Sequence, residues 1–211
     1  MSEPTHVTIV SERGEIAGRF HAGAPAIVPR GAVLAVGGYT GGFEGPSGAY
    51  GVLGDTLPQR GIQLLRLDYR IKRAPGPVEE GTCDVAAGID WLAGRGVEKI
   101  VAVGFSYGGA LVVRAALDSA SVVGVAALAT QTAGIGDVRR LAPRPLLLVH
   151  GTADRTLPAR LSRQVYERAG EPRELHLLDG AGHSMAERRD ELLEILTGWI
   201  DGVLPARERR L

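Results

Sequence analysis

The chain has 211 residues, of which 45% are hydrophobic and 23% charged, and its 24 Lys and Arg balance its 24 Asp and Glu. This is the composition of an ordinary globular protein, long enough for one sizeable core, and residues 1–211 are read as a single domain. Zero net charge argues against nucleic acid or an anionic membrane as partner. Cys83 is the only cysteine, so no intrachain disulfide can form, which suits a reducing cytoplasm.

The N-terminus lacks the basic and apolar regions of a signal peptide. No apolar run approaches the roughly 20 residues of a membrane span. The basic Arg207, Arg209 and Arg210 read as a solvated tail.

In chain order, residues 6–10 alternate weakly and read as a strand, with 15–20 as its hairpin partner across Arg13 and Gly14. Residues 32–36 form a continuous apolar run, the pattern of a strand buried on both faces. It ends in the glycine-rich 37–42 stretch. A short helix is expected over 49–59, weakened by Gly51, Gly54 and Pro58. The next strand is 62–67, leading into Asp68, Tyr69 and Arg70 and then the proline-broken Ala74-Pro75-Gly76-Pro77.

Residues 78–93 read as a helix, since Val85, Ile89 and Leu92 fall on one face and Gly94 and Gly96 follow. A strand over 100–103 feeds Gly104-Phe105-Ser106-Tyr107-Gly108-Gly109, and a helix over 110–117 leaves it. Strands follow at 122–128 and 145–149. Thr156 is expected to cap a helix running to Ala169, with Gly170 at its end. The last strand is 173–178. Ser184-Met185-Ala186-Glu187 has the form of a capping box before a final helix. Leu192, Leu193, Ile195, Leu196, Trp199 and Ile200 give that helix its apolar face.

Strands alternating with helices predict an α/β fold, with a mostly parallel sheet of about 7–8 strands covered on both faces. The short segment between 128 and 145 leaves no room for a lid domain. A nucleotide-binding Rossmann domain would explain the alternation, but the chain has no GxGxxG.

The stretch around Ser106 matches G-x-S-x-G in its required strand–turn–helix context. Glycine on both sides lets strand and helix approach while the serine takes a strained backbone. A serine needs a base and the base needs an acid. In a parallel sheet, these lie just beyond the carboxyl ends of strands.

Asp154 follows the 145–149 strand, and His183 follows the last strand after a glycine turn. The rival acids are Asp137 and Asp179, the latter four residues from His183. His176 falls inside a strand, and His150 is expected to bury its ring and bond locally. His6 and His21 are read as surface residues. The proposed chain order Ser106, Asp154, His183 is that of the serine–acid–histidine hydrolases.

An oxyanion needs two amide donors. One is the N–H of Tyr107, and the other comes from Tyr39 or Thr40, with Tyr39 preferred. Thr40, Phe43 and Leu157 are candidate substrate-binding residues around a small apolar mouth.

On Gly37-Gly38-Tyr39, Gly104-Phe105-Ser106-Tyr107-Gly108-Gly109, His150-Gly151-Thr152-Ala153-Asp154 and Gly182-His183, the chain resembles an α/β-hydrolase. It is most similar to the small lidless members grouped with dienelactone hydrolases and carboxylesterases. The resemblance runs from about residue 32 to 200, with weaker similarity at Asp68-Tyr69-Arg70 and over 84–92.

Two departures stand out. Many members have His-Gly where Gly37-Gly38 stands, and dienelactone hydrolases proper use cysteine where Ser106 stands. The resemblance therefore implies a serine esterase of small carboxylic esters, without metal or organic cofactor. Thioesterase, lactonase and amidase activities, and a non-catalytic binding module, are the alternatives. A small-molecule ester is the expected partner. An exposed edge strand or the last helix leaves a homodimer open.

Overall fold

The structure, a computed structural model, describes residues 3–70 and 78–206. Ala74-Pro75-Gly76-Pro77 and the basic tail at 207–210 lie outside the described residues. Among the described residues, eight strands form one sheet: β1 (Thr5–Ser11), β2 (Gly14–His21), β3 (Gly31–Val36), β4 (Ile62–Asp68), β5 (Ile100–Phe105), β6 (Val122–Leu128), β7 (Leu146–Gly151) and β8 (Arg173–Leu178). Their spatial order is β1-β2-β4-β3-β5-β6-β7-β8. The first two strands are antiparallel to each other and β2 to β4, while β3 through β8 run parallel.

The central strands read as unbroken apolar runs because both of their faces are covered. In β3, Ala32, Leu34 and Val36 pack into one core and Val33 and Ala35 into the other. The first core takes α2 (Val78–Ala93), α3 (Tyr107–Leu117) and α4 (Arg160–Arg168). The second takes α1 (Ala49–Thr56) and α5 (Arg189–Val203). Among the described residues, no helix is long and apolar enough to cross a membrane.

Two expectations about helix starts are corrected. Thr156 caps no helix: it lies in the turn after Asp154, whose carboxylate accepts its amide, and α4 starts only at Arg160, with Ala159 before it and no side-chain cap. Gly170 does follow the end of α4, directly after its extended C-cap Ala169. The capping box at 184–187 does not form. Glu187 accepts from the Gly182 amide at 3.0 Å, and α5 begins only at Arg189.

His21 is not a surface residue. It is 6% exposed because Gly54 of α1 leaves room for the ring, and a Cβ there would lie 2.4 Å from His21 Cε1. Burial, with Arg66 beside it, holds the His21 pKa below the ordinary histidine value.

Candidate active site

Ser106 stands between β5 and α3 with φ 55° and ψ −116°, a conformation that strains any residue with a Cβ. Its neighbours hold it there by close backbone contact. A Cβ on Gly104 would lie 2.2 Å from the Gly108 carbonyl oxygen. One on Gly108 would lie 2.2 Å from the Gly37 carbonyl oxygen, so strand, helix and the 37–42 loop meet with no space for a methyl group. The Ser106 amide donates to the Leu128 carbonyl at 2.7 Å, which ties the turn to β6.

Ser106, His183 and Asp154 come together from three loops. His183 Nε2 lies 3.0 Å from Ser106 Oγ, and His183 Nδ1 lies 2.6 Å from Asp154 Oδ2. The other carboxylate oxygen accepts from the amides of Thr156 at 2.8 Å and Leu157 at 2.9 Å. Burial pushes the Asp154 pKa up, but the His183 hydrogen bond, the Leu157 and Thr156 amides and the nearby His183 charge outweigh it. The net shift is downward.

The rival acids lie elsewhere. Asp179 accepts from the Thr152 hydroxyl at 3.2 Å, and Asp137 precedes a short 3-10 turn at Val138–Leu141, beside Arg140. His176 is on β8 beside Glu174.

The loops carrying acid and base are fastened to each other. The Thr152 amide donates to Leu178 and the Ala153 amide to Ala181, both at 2.9 Å. A Cβ on Gly151 would lie 2.2 Å from the Ala181 carbonyl oxygen. Phe105 packs its ring against the His183 imidazole, with centroids 5.0 Å apart. In the sequence, Phe105 stands only as a member of the G-x-S-x-G stretch. Its position beside the serine was the available signal.

The 37–42 loop passes directly over the serine. A Cβ on Gly38 would sit 3.6 Å from Ser106 Cβ. The Gly38 carbonyl accepts from the Gly41 amide at 2.8 Å and from the Tyr69 hydroxyl. In a trans peptide, the Tyr39 N–H points opposite to that carbonyl. Burial pushes the Tyr69 phenol pKa up, so the hydroxyl stays a donor. Asp68 accepts from the Gly42 amide at 2.8 Å, and Tyr69 packs edge-on against Tyr107, with centroids 5.9 Å apart. The end of β4 therefore fixes the loop, a role the sequence reading did not assign. The Tyr107 amide opens α3, where helix geometry supplies no acceptor.

The candidate substrate-binding residues are less concentrated. Tyr39 and Thr40, which follow Gly38 along the loop, are exposed. Phe43 carries the Arg19 guanidinium 4.4 Å above its ring, which ties it to β2. Leu157 serves through its backbone, donating to Asp154 and accepting from His150 Nε2 at 2.8 Å. Among the described residues, no group of histidine, cysteine or carboxylate side chains is arranged to hold a metal ion.

The profile of the dienelactone hydrolase family matches residues 69–207. Uncharacterized protein YfhR of Escherichia coli K12 is 27% identical over 171 residues, covering 67% of this chain and 60% of that protein. The chain thus spans less than two thirds of the curated relative it matches.

Three solved structures share the fold across nearly their whole length. A lidless α/β serine hydrolase of Xanthomonas campestris is 19% identical, covers 99% of this chain and 98% of its own, and has a TM-score of 0.76. The dienelactone hydrolase of Anabaena variabilis is 18% identical, with coverage of 96% and 100% and a TM-score of 0.81. Est1E of Butyrivibrio proteoclasticus is 17% identical, with coverage of 96% and 99% and a TM-score of 0.77.

Proposed function

The chain belongs to the dienelactone hydrolase family, and on that premise we propose that it is a serine hydrolase cleaving small carboxylic esters through an acyl-enzyme. One observation carries the reading: a strained, nearly buried serine hydrogen-bonded to a histidine that is itself hydrogen-bonded to a buried carboxylate. The resemblance to an esterase fold adds to it.

In the first half-reaction, Ser106 Oγ attacks the ester carbonyl carbon and its proton passes to His183 Nε2. The carbonyl oxygen becomes an oxyanion, held by the amides of Tyr107 and Tyr39. A preorganised donor of this kind is worth about 3–4 kcal/mol in the transition state. The carbon–oxygen bond to the alcohol then breaks, and the alcohol leaves with the proton from His183.

In the second half-reaction, water gives a proton to His183 and attacks the acyl carbon. The Ser106 ester bond breaks, and the proton returns to Ser106. Asp154 keeps the proton of the resting imidazole on Nδ1, which leaves Nε2 free as the base, and it stabilises the imidazolium.

The chain leaves no room for a lid domain, and Tyr39 and Thr40, on the loop that packs against the serine, are exposed, which favours short acyl chains over long lipids. Ser106→Ala is expected to abolish p-nitrophenyl acetate turnover, lose labelling by a fluorophosphonate probe and keep the wild-type circular dichroism spectrum. Undiminished turnover by that variant would refute the proposal. A panel of esters of increasing chain length, with thioester, lactone and amide counterparts, ranks the substrate classes.

A further inference from the structure

Asp154 has a second histidine partner. The His150 ring is fully buried at the end of β7, and its Nε2 lies 3.1 Å from Asp154 Oδ2, the same oxygen that accepts from His183. That nitrogen also lies 2.8 Å from the Leu157 carbonyl oxygen. On the other side of the ring, Nδ1 lies 2.7 Å from Ser162 Oγ, and Ser162 is itself fully buried on α4.

The tautomer follows from the partners. A carbonyl and a carboxylate can only accept, so Nε2 carries the proton and donates to both. Burial lowers the His150 pKa, and the neighbouring His183 adds to this, while Leu157 and Asp154 pull it up. The ring is therefore neutral, and Nδ1 accepts from the Ser162 hydroxyl. The ionisable groups bearing on it are Asp154, four residues further along the chain, and His183 from the loop after β8. From α4 the group against the ring is the uncharged Ser162.

We propose that His150 is a positioning residue: it holds the Asp154 carboxylate in place while His183 gains and loses its proton, and Ser162 fixes the tautomer that lets it do so. This rests on the serine-hydrolase reading above. His183 lies on a loop with its side chain 22% exposed, whereas the Asp154 side chain has no exposure and needs donors throughout the cycle. His150 cannot leave, so the carboxylate keeps an N–H on Oδ2 in every state of His183. It also keeps two backbone amides on Oδ1.

The test pairs two substitutions of matched polarity. A glutamine amide reaches the position of the ring's Nε2 and can donate to Asp154, whereas an asparagine amide reaches only the Nδ1 position near Ser162. His150→Asn should lower kcat for p-nitrophenyl acetate about tenfold at unchanged KM, toward the lower end of what a misplaced catalytic group costs. His150→Gln should stay within about threefold of wild type. Ser162→Ala, which removes one oxygen and leaves the ring in place, should lower kcat about twofold to threefold and serves if His150→Asn fails to fold.

Proton NMR gives a readout that needs no turnover. The His183 Nδ1 proton should move downfield in His150→Asn, where Oδ2 keeps a single N–H donor, and stay at its wild-type position in His150→Gln. Equal kcat losses in both His150 variants, an unchanged kcat in His150→Asn or in Ser162→Ala, or an identical Nδ1 resonance in all chains would overturn the proposal. A wild-type chain that fails to react with a fluorophosphonate would instead refute the hydrolase reading, with the NMR comparison still deciding the role of His150.

Discussion

Asp154→Asn tests the site most severely, because four N–H groups converge on one side chain. Thr156 and Leu157 donate to Oδ1, and His183 and His150 approach Oδ2. A carboxylate offers lone pairs to all four, but an asparagine has only one oxygen. If that oxygen stays with the two backbone amides, the new NH2 faces both histidines. His183 can answer by accepting at Nδ1, which moves its proton to Nε2, the nitrogen that must take the proton of Ser106. The base is then lost, and the same change in a serine–histidine–aspartate protease costs about 10⁴ in kcat.

His150 has no equally good answer. If it gives up its Nε2 proton, the half-buried Leu157 carbonyl loses its donor. An unmet polar group costs up to about 1–3 kcal/mol when buried. In a chain of this length that corresponds to a fall in Tm of roughly 2–12 °C. The expected result is therefore a kcat/KM for p-nitrophenyl acetate about 10⁴ lower, together with a measurable drop in Tm by differential scanning calorimetry. Activity within tenfold of wild type would refute the reasoning. So would a comparable loss in Asp179→Asn or Asp137→Asn, which are expected to stay near wild-type activity.

Two further outcomes follow from the same geometry. Tyr69→Phe removes the hydroxyl that holds the Gly38 carbonyl. With one oxyanion donor loosened rather than lost, kcat should fall about tenfold at constant KM, and a rise in KM at constant kcat would contradict the assigned role. The second outcome concerns pH. His21 and His150 both titrate below the ordinary histidine value in the folded chain, mainly because they are buried. Between pH about 6.5 and their lower folded values, the unfolded chain binds more protons, so stability is full above that window and falls as pH falls through it. Tm should be lower at pH 5 than at pH 7.5, and His21→Gln should make the slope shallower. A flat profile over that range would show that neither burial costs protonation free energy.

The sheet was legible because its strands are unbroken apolar runs set between periodic helices, and α2, β6 and β8 have the bounds that their patterns predict. What local pattern could not give was the destination of polar groups across the fold. Thr156 has the form of a cap, but it lies in the turn after Asp154, with its amide on that carboxylate, and α4 starts only at Arg160. Glu187 has the form of a capping-box acceptor and instead binds the Gly182 amide, next to His183. His21 looked like an outer-strand histidine, and only its contact with Gly54, far along the chain on α1, explains its burial. His150 was legible as buried and locally bonded. Its share in the Asp154 oxygen depends on where α4 delivers Ser162.

Those displaced polar groups, together with the glycines, have a common physical cause. Loops beyond strand ends have no ladder of backbone hydrogen bonds to fix them, yet a group displaced by about 1 Å can cost 10²-fold in rate. The Thr156 and Leu157 amides are spent on Asp154, the Gly182 amide on Glu187, and the Ser184 carbonyl accepts the Ser47 hydroxyl at 2.9 Å. Each contact locks a loop that carries or flanks a candidate site residue.

The glycines work in the same direction. Gly108 lies against the Gly37 carbonyl, Gly104 against the Gly108 carbonyl and Gly151 against the Ala181 carbonyl, each too close for a side chain. Four loops are thereby packed backbone on backbone around Ser106 and His183. The residue type that looks in sequence like a source of flexibility is, at these positions, what permits a rigid site.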